Sequence, residues 1–430
     1  MSGADLAPWL AQSKWPTVPI RYVAKLGTGH TPSRQHSEYW EDCTIPWITL
    51  ADVWQLRDGT RDTVVETKEK ISRLGLANSA AVLHPAGTVI LSRTASVGFS
   101  AIMGQDMATS QDFATWTCGP KIEPRYLLHA LRAMAPDLRR VAAGSTHKTI
   151  YMPDIEQLRL PLPPTDEQRR IVQYLDAKIA YLHSLKELRE RQVNLISERR
   201  SAFIRSLVAG ESSSATRRKT GSPWVPSVPI HWGVLPLKRR WSIVDCKHRT
   251  PDYVDHGYPV VSPGDVTVGR LDLSRAHRFV DGDDFRDLAD GPRRPRRGDI
   301  IYSRNASVGI ASYVDTDEPF TMGQDVCRIT SKSESQLYLY YVLNFMAQSQ
   351  LEALQIGSIF ARVNIGALLD LLVPCPPRQE QEEIARRIDV EFGRYERTMK
   401  VLKNQILLIS ERQQALIVAA VTGQIDMATT

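Results

Sequence analysis

The chain has 430 residues, 42% of them hydrophobic and 24% charged, a composition that is ordinary for globular proteins and a length that corresponds to roughly three domains. Neither a secretory leader nor a membrane-length apolar run is found, and the five scattered cysteines form no Cys-x-x-Cys pair, so a reducing cytoplasm fits better than a disulfide framework or a zinc site. The net charge of +6 permits a polyanionic partner.

Residues 1–162 are predicted to form a mixed globular domain. Segments 45–49 and 88–91 have the composition of short strands bounded by Pro and Gly, whereas residues 124–142 have the helical spacing of apolar side chains. Short strands combined with few helices predict an α+β domain.

A long charged segment, 163–210, is predicted to be a helix. Thr165 and Gln168 have the spacing of a capping box, in which Thr165 caps the backbone and Gln168 reaches back to it. Gly210 stands where a residue with positive φ commonly closes a helix. The next segment, 211–223, is rich in small and polar residues and is predicted to be a flexible linker.

The second half of the chain repeats the first. Residues 195–199 recur as 408–412, so that Ser197 corresponds to Ser410 at an offset of 213 residues. The repeat predicts a globular domain at 224–375, a long helix at 376–423 and a tail at 424–430. Further matches are Pro19-Ile20 with Pro229-Ile230, Asp52-Val53 with Asp265-Val266, Gln111-Asp112 with Gln324-Asp325, and the turn Ser-Arg-x-Ala-Ser-Val-Gly at 92–98 with its copy at 303–309.

Apolar side chains of the second long helix are spaced alternately by four and three residues, which is the pattern of a coiled-coil seam. Lys186 and Arg189 interrupt the matching seam of the first helix, where a small rotation of the helix would let Leu185 and Leu188 supply the contact. The predicted seam consists of Leu175, Ile179, Leu182, Val193, Ile196 and Phe203 on the first helix and of Ile388, Phe392, Tyr395, Met399, Leu402, Ile406, Ile409 and Leu416 on the second.

The two long helices are predicted to pair antiparallel. A helix of about 43 residues is roughly 65 Å long, whereas the linker 211–223 covers only about 45 Å when it is fully extended. Two separate amphipathic helices, each packed on its own domain, are the alternative. The apolar helix tails, 203–208 and 416–421, either dock on a neighbouring globular domain or form a partner interface.

Little in the sequence points to catalysis. It contains no Gly-x-x-x-x-Gly-Lys-Ser/Thr loop, no Gly-x-Ser-x-Gly and no histidine pair at metal spacing. Glu66 and Lys68, with Asp52 or Asp62 upstream, form the best imitation of a metal-dependent nuclease triad. An exposed charge cluster is the alternative. The chain is therefore predicted to be a binding protein with no catalytic residue and no metal site.

The repeated Ser-Arg-x-Ala-Ser-Val-Gly turn is the better functional candidate, because it follows a buried strand and presents groups that contact phosphates and guanine edges. The alternative is a structural turn in which Gly98 and Gly309 supply backbone freedom. Two Gly-Ser pairs followed by a cation, and an arginine-rich loop, are further candidates. The candidate DNA-binding residues are Ser92, Arg93, Thr94, Ser96, Ser145, Lys148, Ser303, Arg304, Asn305, Ser307, Ser358, Arg362, Arg296 and Arg297.

With these features the chain resembles the specificity (S) subunit of type I restriction-modification systems over essentially its whole length. The resemblance is carried by Tyr39-Trp40 with residues 45–49, by the Pro-Pro-x-x-Glu-Gln helix start at 163–168 with its repeat at 376–381, and by the duplicated helices. The chain departs from the pattern at three places: Arg378 replaces Thr165, the seam is polar at Lys186 and Arg189, and Val260-Val261 replace Trp47-Ile48.

The resemblance implies a non-catalytic subunit whose two target-recognition domains, 1–162 and 224–375, each read one half of a bipartite DNA site, while the paired helices set the gap and dock two modification subunits. S-adenosylmethionine, ATP and Mg would be used by the modification and restriction subunits, so that this chain itself needs no cofactor. A self-contained DNA endonuclease or methyltransferase and a coiled-coil adaptor without DNA specificity are the competing hypotheses.

The expected fold class is α+β. It comprises two globular α+β target-recognition domains in tandem, separated by two long helices that pair as an antiparallel coiled coil, with a pseudo-two-fold internal repeat.

Overall fold

The computed structural model describes residues 7–57, 59–143, 148–305, 309–355 and 363–427. The chain divides into two compact units, the first formed by Met1–Arg191 with Leu402–Thr430 and the second by Gln192–Val401. Each unit therefore combines a globular part with segments of both long helices. In the part of the chain that the structure describes, no helix is both long and apolar enough to cross a membrane.

The globular part of the first unit is built on a five-stranded sheet of order β2-β9-β6-β7-β4, in which only β4 and β7 run parallel. A three-stranded sheet, β5-β3-β8, and a pair, β1-β10, complete it. Its strands are β1 (Thr17–Pro19), β2 (Ala24–Thr28), β3 (Ile45–Ile48), β4 (Thr63–Val64), β5 (Glu69–Ile71), β6 (Val89–Ser92), β7 (Ser100–Met103), β8 (Ala108–Thr109), β9 (Phe113–Cys118) and β10 (Arg159–Pro161). Its helices are α1 (Arg73–Ala77), α2 (Pro124–Ala143), α3 (Met152–Ile155) and the start of the long helix α4 (Thr165–Val208), with 3-10 turns at Pro8–Gln12, Ile20–Tyr22, Ser37–Trp40 and Leu50–Leu56.

Strand β6 is buried on both faces, which explains why its sequence is a continuous apolar run. Val89 and Leu91 face the core that α2 covers, and Ile90 between them faces a second core with Ile48 and Val53. The predicted strands at 45–49 and 88–91 and the predicted helix at 124–142 are confirmed within one residue at each end, and α2 continues through its internal Pro136.

The second unit repeats this topology. Its sheets have the orders β14-β21-β18-β19-β16, β17-β15-β20 and β13-β22, and a further pair, β11-β12, has no counterpart among the described strands of the first unit. The strands are β11 (Arg217–Lys219), β12 (Ser227–Pro229), β13 (Gly233–Pro236), β14 (Ser242–Asp245), β15 (Tyr258–Val261), β16 (Gly269–Arg270), β17 (Phe279–Val280), β18 (Ile300–Ser303), β19 (Ala311–Tyr313), β20 (Thr321–Met322), β21 (Val326–Thr330) and β22 (Leu372–Cys375). The helices are α5 (Gly282–Leu288), α6 (Gln336–Phe345), α7 (Gln348–Gln355), α8 (Ile365–Leu369) and the long helix α9 (Arg378–Val421), with 3-10 turns at Leu237–Arg239, Pro263–Asp265, Leu273–Arg275 and Gly291–Arg293.

The two long helices run antiparallel inside each unit. In the first unit Ile171, near the start of α4, shares a core with Val421 at the end of α9. Further along the helices, Leu182 and Ile409 line the same groove. In the second unit Arg200 pairs with Glu396, and the end of α4 shares a core with the first turns of α9. The expected fold class, an α+β repeat with antiparallel paired helices, is confirmed.

The fourteen predicted seam residues are all buried or half-buried. Lys186, Arg189 and Leu185 are half-buried, but Leu188 is 48% exposed and does not supply the expected contact. The long aliphatic stems of Lys186 and Arg189 can cover apolar surface while their charges remain hydrated. The polar break in the seam is therefore accommodated without a rotation that would bury Leu188.

Each long helix ends on a glycine in the left-handed region. Gly210 has φ 69° and Gly423 has φ 74°, and the next N–H donates back to the fifth preceding carbonyl at 2.8 and 2.9 Å, the Schellman arrangement. The Tyr338 hydroxyl lies 3.1 Å from the Val208 carbonyl oxygen in the second unit. The equivalent distance in the first unit, from Tyr126 to Val421, is 3.3 Å.

Both apolar helix tails are buried in the core of a globular part. Val208 is buried in the core of the second unit and Val421 in that of the first, and neither is exposed to solvent. Of the two alternatives for these tails, docking on a globular domain is therefore the one that the structure shows.

The predicted capping box is wrong, because Thr165 is already the first helical residue and Gln168 serves a different purpose. The fully buried Gln168 amide donates to the carbonyl oxygens of Pro163 and Lys121, both at 2.9 Å, and accepts from the Glu123 N–H at 2.9 Å. Gln381 repeats two of these bonds, with the Pro376 carbonyl oxygen and the Ser335 N–H, and donates its third to the Glu334 carboxylate. The glutamine thus ties the helix start to the globular part, and this explains why Arg378 can replace Thr165.

The segment predicted to be a flexible linker, 211–223, contains strand β11. Arg217 organises it by donating to the carbonyl oxygens of Gly210 at 2.7 Å and Ala209 at 3.2 Å, groups that the end of α4 leaves without intrahelical partners. The pairing of β11 with β12 places Pro229 in this hairpin.

The match of Pro19-Ile20 with Pro229-Ile230 therefore requires correction. The Ile20 N–H donates to the Leu158 oxygen at 2.9 Å, and its structural counterpart Leu237 donates to the Leu371 oxygen at 2.8 Å. Pro236-Leu237 is the true equivalent of Pro19-Ile20.

Candidate nucleic-acid interface

The turn after β6 is held between two other loops of the first unit. The Arg93 N–H donates to the Asp112 oxygen at 2.9 Å, and the Ile150 N–H donates to the Arg93 oxygen at 2.9 Å. The Ala95 N–H, at a residue with φ 55°, donates to the Lys148 oxygen at 3.1 Å. The structure therefore brings together two of the predicted DNA-binding segments, the turn 92–98 and the loop that carries Lys148.

The second unit contains the same arrangement after β18. The Arg304 N–H donates to the Asp325 oxygen at 2.9 Å, and the Val363 N–H donates to the Arg304 oxygen at 2.9 Å. Gly98 with φ 89° and Gly309 with φ 85° close the two turns, as the structural alternative expected.

A third loop joins each arrangement through an exposed glutamine. The Thr31 hydroxyl donates to the Gln111 side-chain oxygen at 2.8 Å, and the Gln324 amide donates to the Thr250 hydroxyl at 3.0 Å. We call the turn together with the loops bonded to it the loop cluster of each unit, represented by Thr31, Arg93, Gln111 and Lys148 in the first unit and by Thr250, Arg304 and Gln324 in the second. The third loop was not predicted from the sequence, although the duplicated Thr-Pro pairs, Thr31-Pro32 and Thr250-Pro251, could have indicated it.

Three of the predicted DNA-binding residues have structural roles instead. Ser92 and Ser303 are fully buried at their strand ends, and Arg304 is 4% exposed. The Arg304 guanidinium lies 2.9 Å from a carboxylate oxygen of Asp245. A buried group cannot contact a duplex without a rearrangement of the protein. The prediction that these three residues contact DNA is therefore replaced by a structural role in holding the turn.

The remaining candidates differ in accessibility. Arg93, Thr94, Ser96 and Asn305 are half-buried, and Lys148, Arg296 and Arg297 are exposed. Ser145, Ser307, Ser358 and Arg362 lie outside the described residues.

The two arginines of the exposed loop make different contacts, Arg297 through its side chain and Arg296 through its backbone. The hydrogen bond that Arg297 donates to Asp317, together with the charges of Asp317 and Asp315, raises the pKa of the Arg297 guanidinium. This guanidinium lies 2.7 Å from Asp315 and 2.9 Å from Asp317. Arg297 therefore reaches any phosphate with its charge partly compensated. Arg296 has its backbone N–H 2.7 Å from Asp299, which fixes the loop beside it.

The first unit also presents an aromatic surface that sequence reasoning missed. Trp54 is 62% exposed and borders a cavity of about 560 Å³ together with Arg61 and Lys68. Exposed aromatic faces beside cations are the groups on which nucleic-acid bases stack. A tryptophan inside the polar stretch 51–61 was the available signal.

The three residues of the nuclease-like triad predicted as the catalytic alternative line one cavity together, but the aspartate is already hydrogen-bonded to the backbone. Asp52 is 2% exposed, and its carboxylate accepts from the backbone N–H groups of Lys68 at 2.7 Å and Thr49 at 2.9 Å. Asp265 accepts from the Ser262 N–H in the same way at 2.8 Å. The carboxylate therefore caps a short helix in both units, and a capping role replaces the metal-binding one.

Among the described residues, one group of side chains has the proximity needed for a metal ion, namely Asp245, Cys246 and His248. Burial is the main cause that raises the pKa of the Cys246 thiol, which disfavours the thiolate that a metal requires. Asp245 already pairs with Arg304 and lies 3.1 Å from His248. The arrangement is that of an ion-pair network.

A family model described as the type I restriction modification DNA specificity domain matches residues 12–194 and 255–408 of the chain. The chain belongs to this family. Membership agrees with the duplicated α+β topology.

Relatives in this family include the EcoDI specificity subunit of Escherichia coli, which is 21% identical over 445 residues covering 96% of this chain and 88% of that protein. The MjaIX specificity subunit of Methanocaldococcus jannaschii is 25% identical over 186 residues, 43% of this chain and only 41% of that protein. A chain in a solved structure of the type I R-M system shares the fold, with a TM-score of 0.70, 18% identity and coverage of 96% of this chain and 98% of that one.

Proposed function

We propose that this chain is the non-catalytic DNA specificity subunit of a type I restriction-modification enzyme in the cytoplasm. In this proposal residues 1–162 and 224–375 are target-recognition domains that each read one half of a bipartite, asymmetric site. Residues 163–210 and 376–423 form the spacer, joined by 211–223 and followed by the tail 424–430.

The observation that carries the proposal is one scaffold with two different surfaces. Both units hold the loop cluster with equivalent backbone bonds. In addition, the first unit exposes Trp54 with Arg61 and Lys68, whereas the second pairs Lys247 and Arg249 with acidic side chains of α5. Since base edges are read by side chains and the scaffold sets only their position, different side chains on one scaffold support two different half-sites.

The partners follow from the same proposal. Two modification subunits would methylate adenine with S-adenosylmethionine, and restriction subunits would use ATP and Mg to translocate and cleave. This chain would supply DNA contacts and a docking surface.

Deleting the gene is expected to remove one bipartite adenine motif from the methylome of the host, and complementation is expected to restore it. Complementation with Trp54→Ala is expected to weaken or relax one half of the motif only, because loss of one aromatic stacking contact costs about 1–3 kcal/mol. Methylome sequencing of the four strains measures both effects.

Tyr22→Ala is the matched control, since Tyr22 is 70% exposed in the same unit but lies outside the Trp54 cavity. It is expected to restore the motif in full. Persistence of every bipartite motif in the deletion strain would exclude the proposed function.

The docking surface is proposed to be an apolar groove between α4 and α9 in the first unit. The groove has a volume of about 240 Å³ and includes Tyr181, 65% exposed, and Leu408, 61% exposed. Apolar side chains of this size on a helix pair are a surface on which a helix of a partner can pack, and we assign this partner as the modification subunit.

Leu408→Glu is expected to weaken the association with the modification subunit at least tenfold, because a carboxylate would be buried against apolar side chains. Leu74→Glu in α1, at a site that is 49% exposed and outside the groove, is the control and is expected to bind normally. Calorimetric titration of the purified subunits measures the difference. Equal affinities for the two variants would refute the assignment of the groove.

A further inference from the structure

The first unit contains a cationic cavity that is separate from the Trp54 cavity. It has a volume of about 280 Å³ and lies where the turn after β6, helix α2 and the two long helices come together. Among the described residues that line it, every charged side chain is a cation: Arg57, Arg132, Arg139 and Lys186. Such a concentration of one sign of charge attracts an anion.

The four cationic side chains differ in the contacts that they already make within the protein. Arg132 is paired with Asp62 at 2.6 Å. Arg139 is oriented by its Nε, which donates to the Val97 oxygen at 3.3 Å, and by the Phe99 ring, 5.2 Å from the guanidinium carbon. These contacts leave the two terminal nitrogens of Arg139 as donors. For Lys186 and Arg57, no hydrogen bond or ion pair is found within the described part of the chain.

A buried hydroxyl in the cavity wall provides an independent sign of a ligand. Ser100 is 4% exposed, and its Oγ has no hydrogen-bond partner among the described residues. A buried polar group without a partner is costly, and such groups in native structures often mark the place of a bound species. Gln413 adds a neutral amide to the same wall.

We propose that this cavity binds a phosphate group. Arginine, lysine and hydroxyl donors converge on it from α2, α4 and β7, and several donors from different directions suit a tetrahedral anion. The volume lies just below the roughly 300–1,000 Å³ of pockets for drug-sized ligands, so one phosphate group fits better than a complete nucleotide. The phosphate comes either from the DNA backbone or from a small phosphate compound in solution.

Lys186→Gln and Arg57→Gln test the site in the full chain, with Lys178→Gln as the control, because Lys178 is an exposed lysine of the same helix outside the cavity. In the first arm inorganic phosphate is titrated calorimetrically at constant ionic strength. Loss of one charge-assisted contact is expected to weaken binding about tenfold or more in the two cavity variants, and the control is expected to bind normally.

In the second arm the affinity for a duplex is followed as a function of salt. If the ligand is a backbone phosphate, the two cavity variants are expected to lower the salt slope by about one, while inorganic phosphate binds weakly to every form of the protein. Phosphate binding that the cavity variants lose, with an unchanged duplex slope, identifies a small phosphate compound. Cavity variants that match the wild type in both arms would overturn the proposal.

The proposal does not depend on sequence-specific DNA recognition. The phosphate arm requires no DNA, and the methylome experiment requires no phosphate cavity. Arg57 is exposed, so its replacement tests the cavity even if the half-buried Lys186 contributes to folding.

Discussion

Inserting one heptad into each long helix is expected to lengthen the unspecified gap of the recognised DNA motif by about three base pairs. Seven helical residues add about 10 Å at 1.5 Å per residue, and B-DNA rises about 3.4 Å per base pair. A whole heptad preserves the seam, because the apolar side chains return to the same face of the pair. The insertions belong after Gln192 in α4 and after Val401 in α9, and methylome sequencing of the host measures the gap.

The matched control places seven residues at Gly221, in the turn between β11 and β12. Gly221 has φ 78° and an exposed position where an added Cβ meets no atom, so the turn accommodates extra residues. This variant is expected to keep the original gap. If the variant with a heptad in both helices still recognises both half-sites and keeps the original gap, the helices have no spacer role.

Asp299→Ala is expected to destabilise the second unit by about 3–5 kcal/mol, because it leaves the charge of Arg328 buried and unpaired. The two side chains are only 4% and 11% exposed and form a double contact, at 2.5 and 3.2 Å. Asp299 also fixes the arginine-rich loop through the Arg296 N–H. Urea unfolding followed by circular dichroism measures the loss.

Asp283→Ala is the matched control, since Asp283 is 87% exposed and forms a surface pair with Arg286. Surface pairs of this kind contribute about 0–1 kcal/mol. Adding Arg328→Met to Asp299→Ala is expected to recover part of the lost stability, because it removes the orphaned charge. A loss for Asp299→Ala no larger than that of the control would contradict the role assigned to this pair.

The sequence predicted those elements that can be recognised from the order of apolar and polar residues within a single segment. The strands at 45–49 and 88–91 are short apolar segments bounded by Pro and Gly, and helix α2 and the two long helices each have apolar positions at helical spacing. The offset of 213 residues revealed the duplication. Strands of two or three residues, such as β4 and β8, are too short to show a period.

The side chains of the candidate site were harder to predict, because their roles depend on partners that are distant in the chain. Arg304 was expected on the surface and is buried through Asp245, 59 residues away. The contact between Thr31 and Gln111 spans 80 residues. Gln168 satisfies carbonyl oxygens of another segment, which no capping pattern encodes.

The discontinuity of the first unit has a consequence for synthesis on the ribosome. The second unit is contiguous in sequence, from Gln192 to Val401, whereas the first needs Leu402–Thr430 to complete its core. The hydrogen bond from the Tyr126 hydroxyl to the Val421 carbonyl oxygen therefore cannot form until Val421 has been synthesised. Domains generally fold in the order of their synthesis. In this chain the first unit begins to emerge before the second but is the last to complete its core.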